Sequence, residues 1–180
     1  MNTKFFTGMG DDGLVKFGTQ TKKKSDQCFH ALGLCDEVNV LVGFAKVSAR
    51  DEVAQHLLRI QECLFILQAE LASIIFSAQK TVTITKSHID DLEKIILFCD
   101  EQLEPITSFI IPGGEESALR LEIARVRARA FERALIMLEG QYEISDDMKQ
   151  FSNRLSSVFF ALARYENKMN GFNEISPKYK

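Results

Sequence analysis

The sequence lacks the motifs of a metalloprotein or a disulfide-bonded secreted protein. Its four cysteines form no CxxC pair, and its three histidines are isolated from one another and from any HExxH motif. Structural zinc sites need closely spaced ligands, and disulfide frameworks belong to oxidising compartments. We therefore predict a cytoplasmic protein without a metal site of its own. Its reduced core thiols would be those of Cys28, Cys35, Cys63 and Cys99.

Charge excess and long apolar runs are also missing. The 22 Lys and Arg residues against 25 Asp and Glu give a net charge of −3, so any binding of anions must be local. No uninterrupted apolar run reaches membrane-spanning length, and the N-terminus MNTKFFTGMGDDG has no apolar signal segment. We expect neither nucleic acid nor a membrane among the partners. The length of 180 residues fits one domain with a substantial core.

Breakers of helices are absent from the middle of the chain, where no Gly or Pro lies between Phe44 and Glu104. Apolar residues recur three and four positions apart, the spacing of an amphipathic helix. The spacing predicts five helices, over about 25–47, 51–78, 87–103, 115–140 and 145–170. Ser87 with Asp90 three residues later predicts the start of the third helix. We predict an all-α five-helix bundle.

The composition divides the chain into three segments. Residues 1–24 are rich in Gly and Lys, residues 25–170 form the helical bundle, and residues 171–180 follow the last helix. The sequence leaves open whether this C-terminal segment is a flexible tail or an ordered lid.

The fourth helix carries an unusual number of arginines. At about 100° per residue, Arg125, Arg129 and Glu132 fall within an arc of roughly 60°. A guanidinium binds phosphate or carboxylate through two parallel hydrogen bonds and stays charged near neutral pH. This face suits an anionic ligand, although a solvated face with intrahelical ion pairs has the same pattern.

Two further segments carry candidate polar residues. The glycines and lysines of residues 7–24 suit a phosphate, but the spacing of a Walker A loop and the strand of a Rossmann motif are both missing, and a flexible N-terminus is equally consistent. In GLCDEVN, residues 33–39, the carboxylates of Asp36 and Glu37 either pair with a cation or form the polar side of the helix.

A loop aromatic and a helix-start amide are the remaining candidates. Asn153 is followed by Arg154 in the first turns of the fifth helix, where an amide binds a base or phosphate or simply faces water. Phe109 precedes the Pro-Gly-Gly break, where it either packs the loop down or forms a wall against a flat cofactor.

Four blocks, in this order, resemble the PduO-type ATP:cob(I)alamin adenosyltransferases: TGMGDDG, GLCDEVN, FIIPGG with ARVRARAFER, and NRLSSVFF. The resemblance covers nearly the whole chain. It implies a five-helix bundle that forms a homotrimer with active sites between subunits. The implied reaction transfers the 5′-deoxyadenosyl group of ATP to the cobalt of reduced corrinoid (cob(I)alamin) and releases triphosphate. Mg²⁺ would accompany ATP, and a corrinoid reductase or an adenosylcobalamin-dependent enzyme would be a partner.

The resemblance also implies roles for single residues. Arg129 would bind the phosphates of ATP, and Glu132 and Asn153 would bind the nucleotide. Arg125 would pair with Asp36 across the subunit interface. Phe109 would pack against the corrin and keep the lower axial position of the cobalt empty. A loop that closes over ATP would supply Thr7, Gly10, Asp11 and one of Lys22, Lys23 and Lys24, with Lys24 preferred.

The sequence departs from the family pattern at several of these places. Gly8 and Met9 stand where the family has a basic residue and a threonine. Leu34, Ala130 and Ser157 replace a threonine, an arginine and an aspartate. The alternative function is therefore a homologue that binds corrinoid or ATP without catalysis, as a carrier or sensor.

Overall fold

Five helices make up most of the protein, as the apolar spacing predicts. The computed structural model describes Phe5 and residues 8–179. Each helix begins and ends within four residues of the predicted bounds. The helices are α1 (Gln27–Lys46), α2 (Asp51–Ile75), α3 (Lys86–Gln102), α4 (Glu116–Ile136) and α5 (Asp146–Met169).

The prediction of a purely helical fold is wrong at the N-terminal segment, which contains a β-hairpin. Strand β1 (Leu14–Phe17) pairs antiparallel with β2 (Gln20–Lys23). Gly18 in the two-residue turn has a φ of +57°, as mirror-image hairpin turns require. The strands are four residues long and mostly polar, so they lack an alternating apolar pattern. The contact that anchors them is tertiary, because the ring of Phe17 packs 4.9 Å from that of Phe76 after α2.

Helix α4 lies at the centre of the bundle. It packs against α1 on one side and α5 on the other, while α2 covers α1 and α3 covers α5. Small side chains at Ala118, Ala124 and Ala128 are fully buried and allow the neighbouring helices to approach closely. The large rings of the core come from Phe131, Phe151 and Phe159.

The start of α3 differs from the prediction. Thr85, and not Ser87, is the N-cap, and His88 completes a capping box by accepting the backbone N–H of Thr85 at Nδ1, 3.0 Å away. The imidazole therefore has the role expected of Asp90. Asp90 instead forms an i,i+4 ion pair of 2.9 Å with Lys86.

Helix α1 has the length and composition of a membrane-crossing segment, and among the described residues no other helix does. Eight of its residues are buried, and seven of these belong to the hydrophobic core. Core helices of folded domains meet the same criterion.

Buried polar contacts anchor the loop between α3 and α4 to the end of α5. The side chain of Asn167 donates to the carbonyl of Gly113 at 3.0 Å and accepts the backbone N–H of Glu115 at 3.0 Å. The carboxylate of Glu166, 1% exposed, accepts the hydroxyl of Ser117 at 2.9 Å. The bond from Glu115 satisfies the backbone N–H of the N-cap of α4, and the three bonds together fix the end of the loop against α5.

The C-terminal segment lies along the same loop. The backbone N–H of Ile111 donates to the carbonyl of Ile175 at 2.8 Å. The guanidinium of Arg164 binds both carboxylate oxygens of Glu174, at 2.7 and 2.9 Å, and donates to the carbonyl of Glu104 at 3.0 Å. One arginine of α5 thus joins the segment to the start of the loop.

Gly114→Ala is expected to destabilise the protein. Gly114 has a φ of +110°, and an added Cβ would lie 2.1 Å from Oδ1 of Asn167. We expect the free energy of unfolding to fall by about 1–3 kcal/mol. Urea unfolding measures this change. Gly33→Ala is the control, because its Cβ meets no atom within 4 Å and should stabilise α1 by roughly 0.5–1 kcal/mol. Equal stability of Gly114→Ala and the wild type would contradict this account of the loop.

Two core thiols are expected to resist alkylation until the protein unfolds. Burial, with a smaller effect of Glu52, raises the pKa of Cys99 to about 12, and burial beside Asp36 raises the pKa of Cys35. Because the thiolate is the reactive form, iodoacetamide at pH 8 should label neither in the folded protein. Peptide mass spectrometry measures the labelling with and without urea. Labelling of Cys99 at one rate in both conditions would refute the prediction.

Candidate active site

A cleft of about 420 Å³ opens where α4, α5 and the loop after α3 meet. Arg125 and Arg129 line it from α4, and Phe160 lines it from α5. Phe109 stands at its edge with 80% of its surface exposed. The structure thus brings together two arginines and one loop aromatic that the sequence analysis singled out separately.

Arg125 is held in place by its own helix. Its guanidinium pairs with Glu122 at 2.7 Å and lies 5.8 Å from the ring centre of Phe160. Within the described part of one chain, Arg125 therefore pairs with Glu122 and not with Asp36, which is exposed on α1. The predicted Arg125–Asp36 pair would join two subunits.

Arg129 lies one turn further along α4 and is exposed at the cleft. Among the described residues it forms no ion pair with a carboxylate. Its guanidinium is therefore available to an anion that enters the cleft.

Glu132 and Asn153 meet across α4 and α5. Nδ2 of Asn153 donates to Oε1 of Glu132 at 2.7 Å. Oδ1 of the same amide accepts from Nη1 of Arg154 at 2.8 Å. Nε of Arg154 in turn donates to Glu93 of α3 at 2.9 Å. Sequence reasoning missed Glu93, because nothing in the polar face of α3 distinguishes this carboxylate from its neighbours.

The two acidic residues of GLCDEVN have different surroundings. Glu37 pairs with Arg127 of α4 at 3.0 Å, so its cationic partner is found within the chain. The adjacent Asp36 is exposed. Asn39 is buried, and its Oδ1 has no hydrogen-bond partner in the described structure.

The N-terminal loop forms a second cavity, of about 470 Å³, lined by Gly10, Asp11 and Lys24. Gly10 has a φ of +89°, and a Cβ there would lie 3.0 Å from Nζ of Lys24. Of the three candidate lysines, Lys24 thus lies over the glycine turn. Lys22 donates instead to the hydroxyl of Tyr142, at 3.3 Å. Thr7, the remaining candidate of this loop, lies outside the described residues.

The loop and the cleft are separate within one chain. Of the described residues of the N-terminal segment, none lines the α4–α5 cleft. Lys24 instead borders a groove of about 680 Å³ between α1 and α4, whose other walls include Arg127 and Arg133. The candidate residues that line these cavities therefore form two partial sites, one at each side of α4, and Asp36, Glu132 and Asn153 line none of the three.

Three positions that depart from the family pattern have distinct settings. Leu34 is buried in the core, Ala130 lines the α1–α4 groove, and Ser157 lines the cleft.

Comparison with known proteins gives one consistent result. A family model described as cobalamin adenosyltransferase matches residues 5–166. The corrinoid adenosyltransferase PduO of Salmonella typhimurium is 35% identical over 97% of this chain, which spans 54% of that protein's length. A corrinoid adenosyltransferase of Citrobacter freundii is 34% identical, with 91% of this chain and 94% of that protein covered. The human corrinoid adenosyltransferase MMAB is 33% identical, with coverages of 95% and 72%.

Solved structures give the same result. A variant PduO-type ATP:corrinoid adenosyltransferase from Lactobacillus reuteri, complexed with cobalamin and ATP, superposes with a TM-score of 0.89 at 29% identity. The superposition covers 98% of this chain and 100% of that one. A second variant from the same organism, complexed with ATP, has a TM-score of 0.88 at 28% identity, with 96% and 99% covered.

Proposed function

The chain belongs to the cobalamin adenosyltransferase family, and we propose that it transfers the 5′-deoxyadenosyl group of ATP to the cobalt of a reduced corrinoid. It is a transferase, like the corrinoid adenosyltransferases to which it is similar. The observation that supports this function most directly is the cleft between α4 and α5, which is lined by two arginines and an exposed loop aromatic.

The reaction needs little acid–base help from the protein. The electron pair of Co(I) forms the new cobalt–carbon bond, while the bond between C5′ and oxygen breaks and triphosphate leaves with its electrons. Co(I) is already a strong nucleophile, so the reactive chemistry belongs to the corrinoid. The protein must align cobalt with C5′ and stabilise charge on the leaving triphosphate.

Arg129 is the best-placed residue for the triphosphate. Because it has no carboxylate partner among the described residues, no ion pair has to break before it binds a phosphate. Arg125 has a different role, since its pair with Glu122 already orients it. An exchange of this partner for Asp36 of a second copy would couple the site to assembly.

Phe109 offers an apolar surface to the corrin. It is exposed together with Ile106 and Ile111, which flank it in the loop. A corrin ring against this surface would lose contact with water, and the aromatic ring would exclude a lower axial ligand. The contacts of Asn167 and Arg164 hold both ends of this loop.

The N-terminal loop would close over the nucleotide. The positive φ of Gly10 allows backbone N–H groups close to a phosphate, and Nζ of Lys24 adds a positive charge there. Mg²⁺ would arrive with ATP as the counter-ion of its phosphates. Among the described residues no group of three His, Cys, Asp or Glu side chains could hold the ion alone.

A homotrimer would join the two partial sites. Exposed apolar residues on α1 and α4 support an interface between copies of the chain, since large exposed apolar patches mark such surfaces. These residues are Val40, Phe44, Leu119, Ile123 and Val126. In the assembly, the N-terminal loop of one subunit would cover the cleft of its neighbour. Three as the number of subunits follows from the family resemblance.

A reductase must supply the Co(I) substrate, and an adenosylcobalamin-dependent enzyme must use the product. We propose a cytoplasmic location, which the free thiols Cys28, Cys35, Cys63 and Cys99 support. The alternative function, a non-catalytic carrier or sensor, rests on Gly8 and Met9, which replace a basic residue and a threonine of the family pattern in this loop. The names of the relatives favour the enzyme.

Turnover is expected to depend on Arg129. The assay mixes protein, ATP, Mg²⁺ and chemically reduced cobalamin without oxygen, and follows the loss of the Co(I) bands. The wild type should form a light-sensitive adenosyl product. Arg129→Ala should lower kcat/KM by about 10²-fold or more, because the leaving triphosphate loses a charged donor. Thermal unfolding should be unchanged. Arg59→Ala, which removes an exposed arginine from α2, is the control. Normal turnover by Arg129→Ala would refute this role.

Substitutions of Lys24 and of its neighbour Lys23 are expected to change the KM for ATP to different extents. Lys24→Gln should raise the KM for ATP about tenfold, the cost of one charge-assisted hydrogen bond. Lys23→Gln removes the same charge from β2, opposite Leu14, and should leave this KM unchanged. Steady-state kinetics at saturating corrinoid compares them. Equal effects of both variants would mean that only general charge matters in this loop.

A further inference from the structure

We propose that Glu93 is a positioning residue of the nucleotide site, which acts through Arg154 to orient Asn153 and Glu132. The proposal rests on the proposed function, in which Asn153 and Glu132 hold ATP. Glu93 lies on α3 and outside the four blocks that resemble the family.

Four side chains form a continuous series of hydrogen bonds from α3 through α5 to α4. Glu93 accepts from Nε of Arg154 at 2.9 Å, and Nη1 of Arg154 donates to Oδ1 of Asn153 at 2.8 Å. Nδ2 of Asn153 then donates to Oε1 of Glu132 at 2.7 Å. We call this series the Glu93 relay. It connects a helix that contributes nothing to the cleft lining with the proposed nucleotide ligands.

The chemistry of the relay allows only one orientation of the Asn153 amide. A guanidinium has donors and no acceptor, so only Oδ1 can face Arg154. An ionised carboxylate has acceptors and no donor, so only Nδ2 can face Glu132. Both neighbours therefore demand the same amide orientation, and a rotation by 180° would break two hydrogen bonds at once.

Arg154 needs an external anchor to make its contact. Side chains of adjacent residues on a helix do not face each other, and Asn153 and Arg154 are adjacent on α5. Glu93 supplies the anchor by binding Nε, which leaves Nη1 directed back toward Asn153. Both members of the ion pair are partly exposed, at 36% and 38%, so without Glu93 the long arginine side chain would be free to turn to solvent.

The relay would act on ATP binding more than on the chemical step. An oriented amide and carboxylate lose less conformational freedom when the nucleotide binds. Contacts that are equal in the ground state and the transition state change KM and leave kcat alone. A purely structural ion pair between α3 and α5 would instead change stability without changing the affinity for ATP.

The first experiment measures the KM for ATP and kcat in three variants. Glu93→Ala should raise this KM about tenfold, as expected for one lost hydrogen bond to a charged group, with kcat changed by less than about threefold. Glu93→Gln keeps an amide oxygen for Nε of Arg154 and should recover most of the loss. Asp91→Ala is the control, because it removes a carboxylate of the same helix that pairs only with Lys94 among the described residues. A lower melting temperature of Glu93→Ala with an unchanged KM would overturn the proposal.

A second experiment asks whether Glu93 acts through Asn153. In an Asn153→Ala background, Glu93→Ala should cause no further rise in the KM for ATP, since the relay is already broken. A further tenfold rise would mean that Glu93 acts by another route, and would overturn the proposal.

Binding measurements separate this proposal from the proposed reaction. Calorimetric titration with ATP and Mg²⁺, without corrinoid, should give a Kd about tenfold higher for Glu93→Ala than for the wild type. If the wild type binds ATP without turnover, the proposed reaction fails while this ratio still decides the relay. Equal Kd values in an active enzyme would refute the relay and leave the reaction intact.

Discussion

The close packing of α4 between α1 and α5 is the constraint on which the rest of the structure depends. Fully buried alanines, such as Ala124 and Ala128, let the two neighbouring helices approach α4. Close approach leaves no room for long side chains on these faces, so the arginines of α4 lie on the remaining surface. One helix thus supplies both the centre of the core and the cationic side of the cleft.

Buried polar groups at the end of α5 hold the loop that forms the apolar side of the cleft. Asn167 holds the Gly113–Glu115 turn, and Glu166 holds the first turn of α4. Arg164 binds the other end of the same loop and the C-terminal segment. Phe109 is 80% exposed, so packing of its own ring does little to fix its position. Its position is set by these bonds, made some residues away on both sides.

Whether a feature of the candidate site could be predicted from the sequence depends on whether it lies within one helix. The common face of Arg125, Arg129 and Glu132 follows from helical periodicity and could be predicted from the sequence. The position of Lys24 over the glycine turn does not follow from periodicity, because it depends on how the turn at Gly10 folds back over the end of the hairpin; the sequence preferred Lys24 only through the family resemblance. The hydrogen-bond partners of Asn153 could not be predicted from periodicity either, because the Glu93 relay depends on how α3, α4 and α5 pack against one another.

The sequence by itself determined the number, type and approximate bounds of the five helices, because each buries a stripe of apolar residues that recurs every three to four positions. It also determined the family, since the four blocks keep their order and most of their polar residues. Only the tertiary structure decided that a β-hairpin precedes the bundle, that Thr85 and His88 cap α3, and that Glu93 of α3 pairs with Arg154 of α5. The physical reasons differ: the short and mostly polar strands carry no alternating apolar pattern, His88 is not the Glu or Gln that usually completes a capping box, and Arg154, the partner of Glu93, lies 61 residues away in the chain.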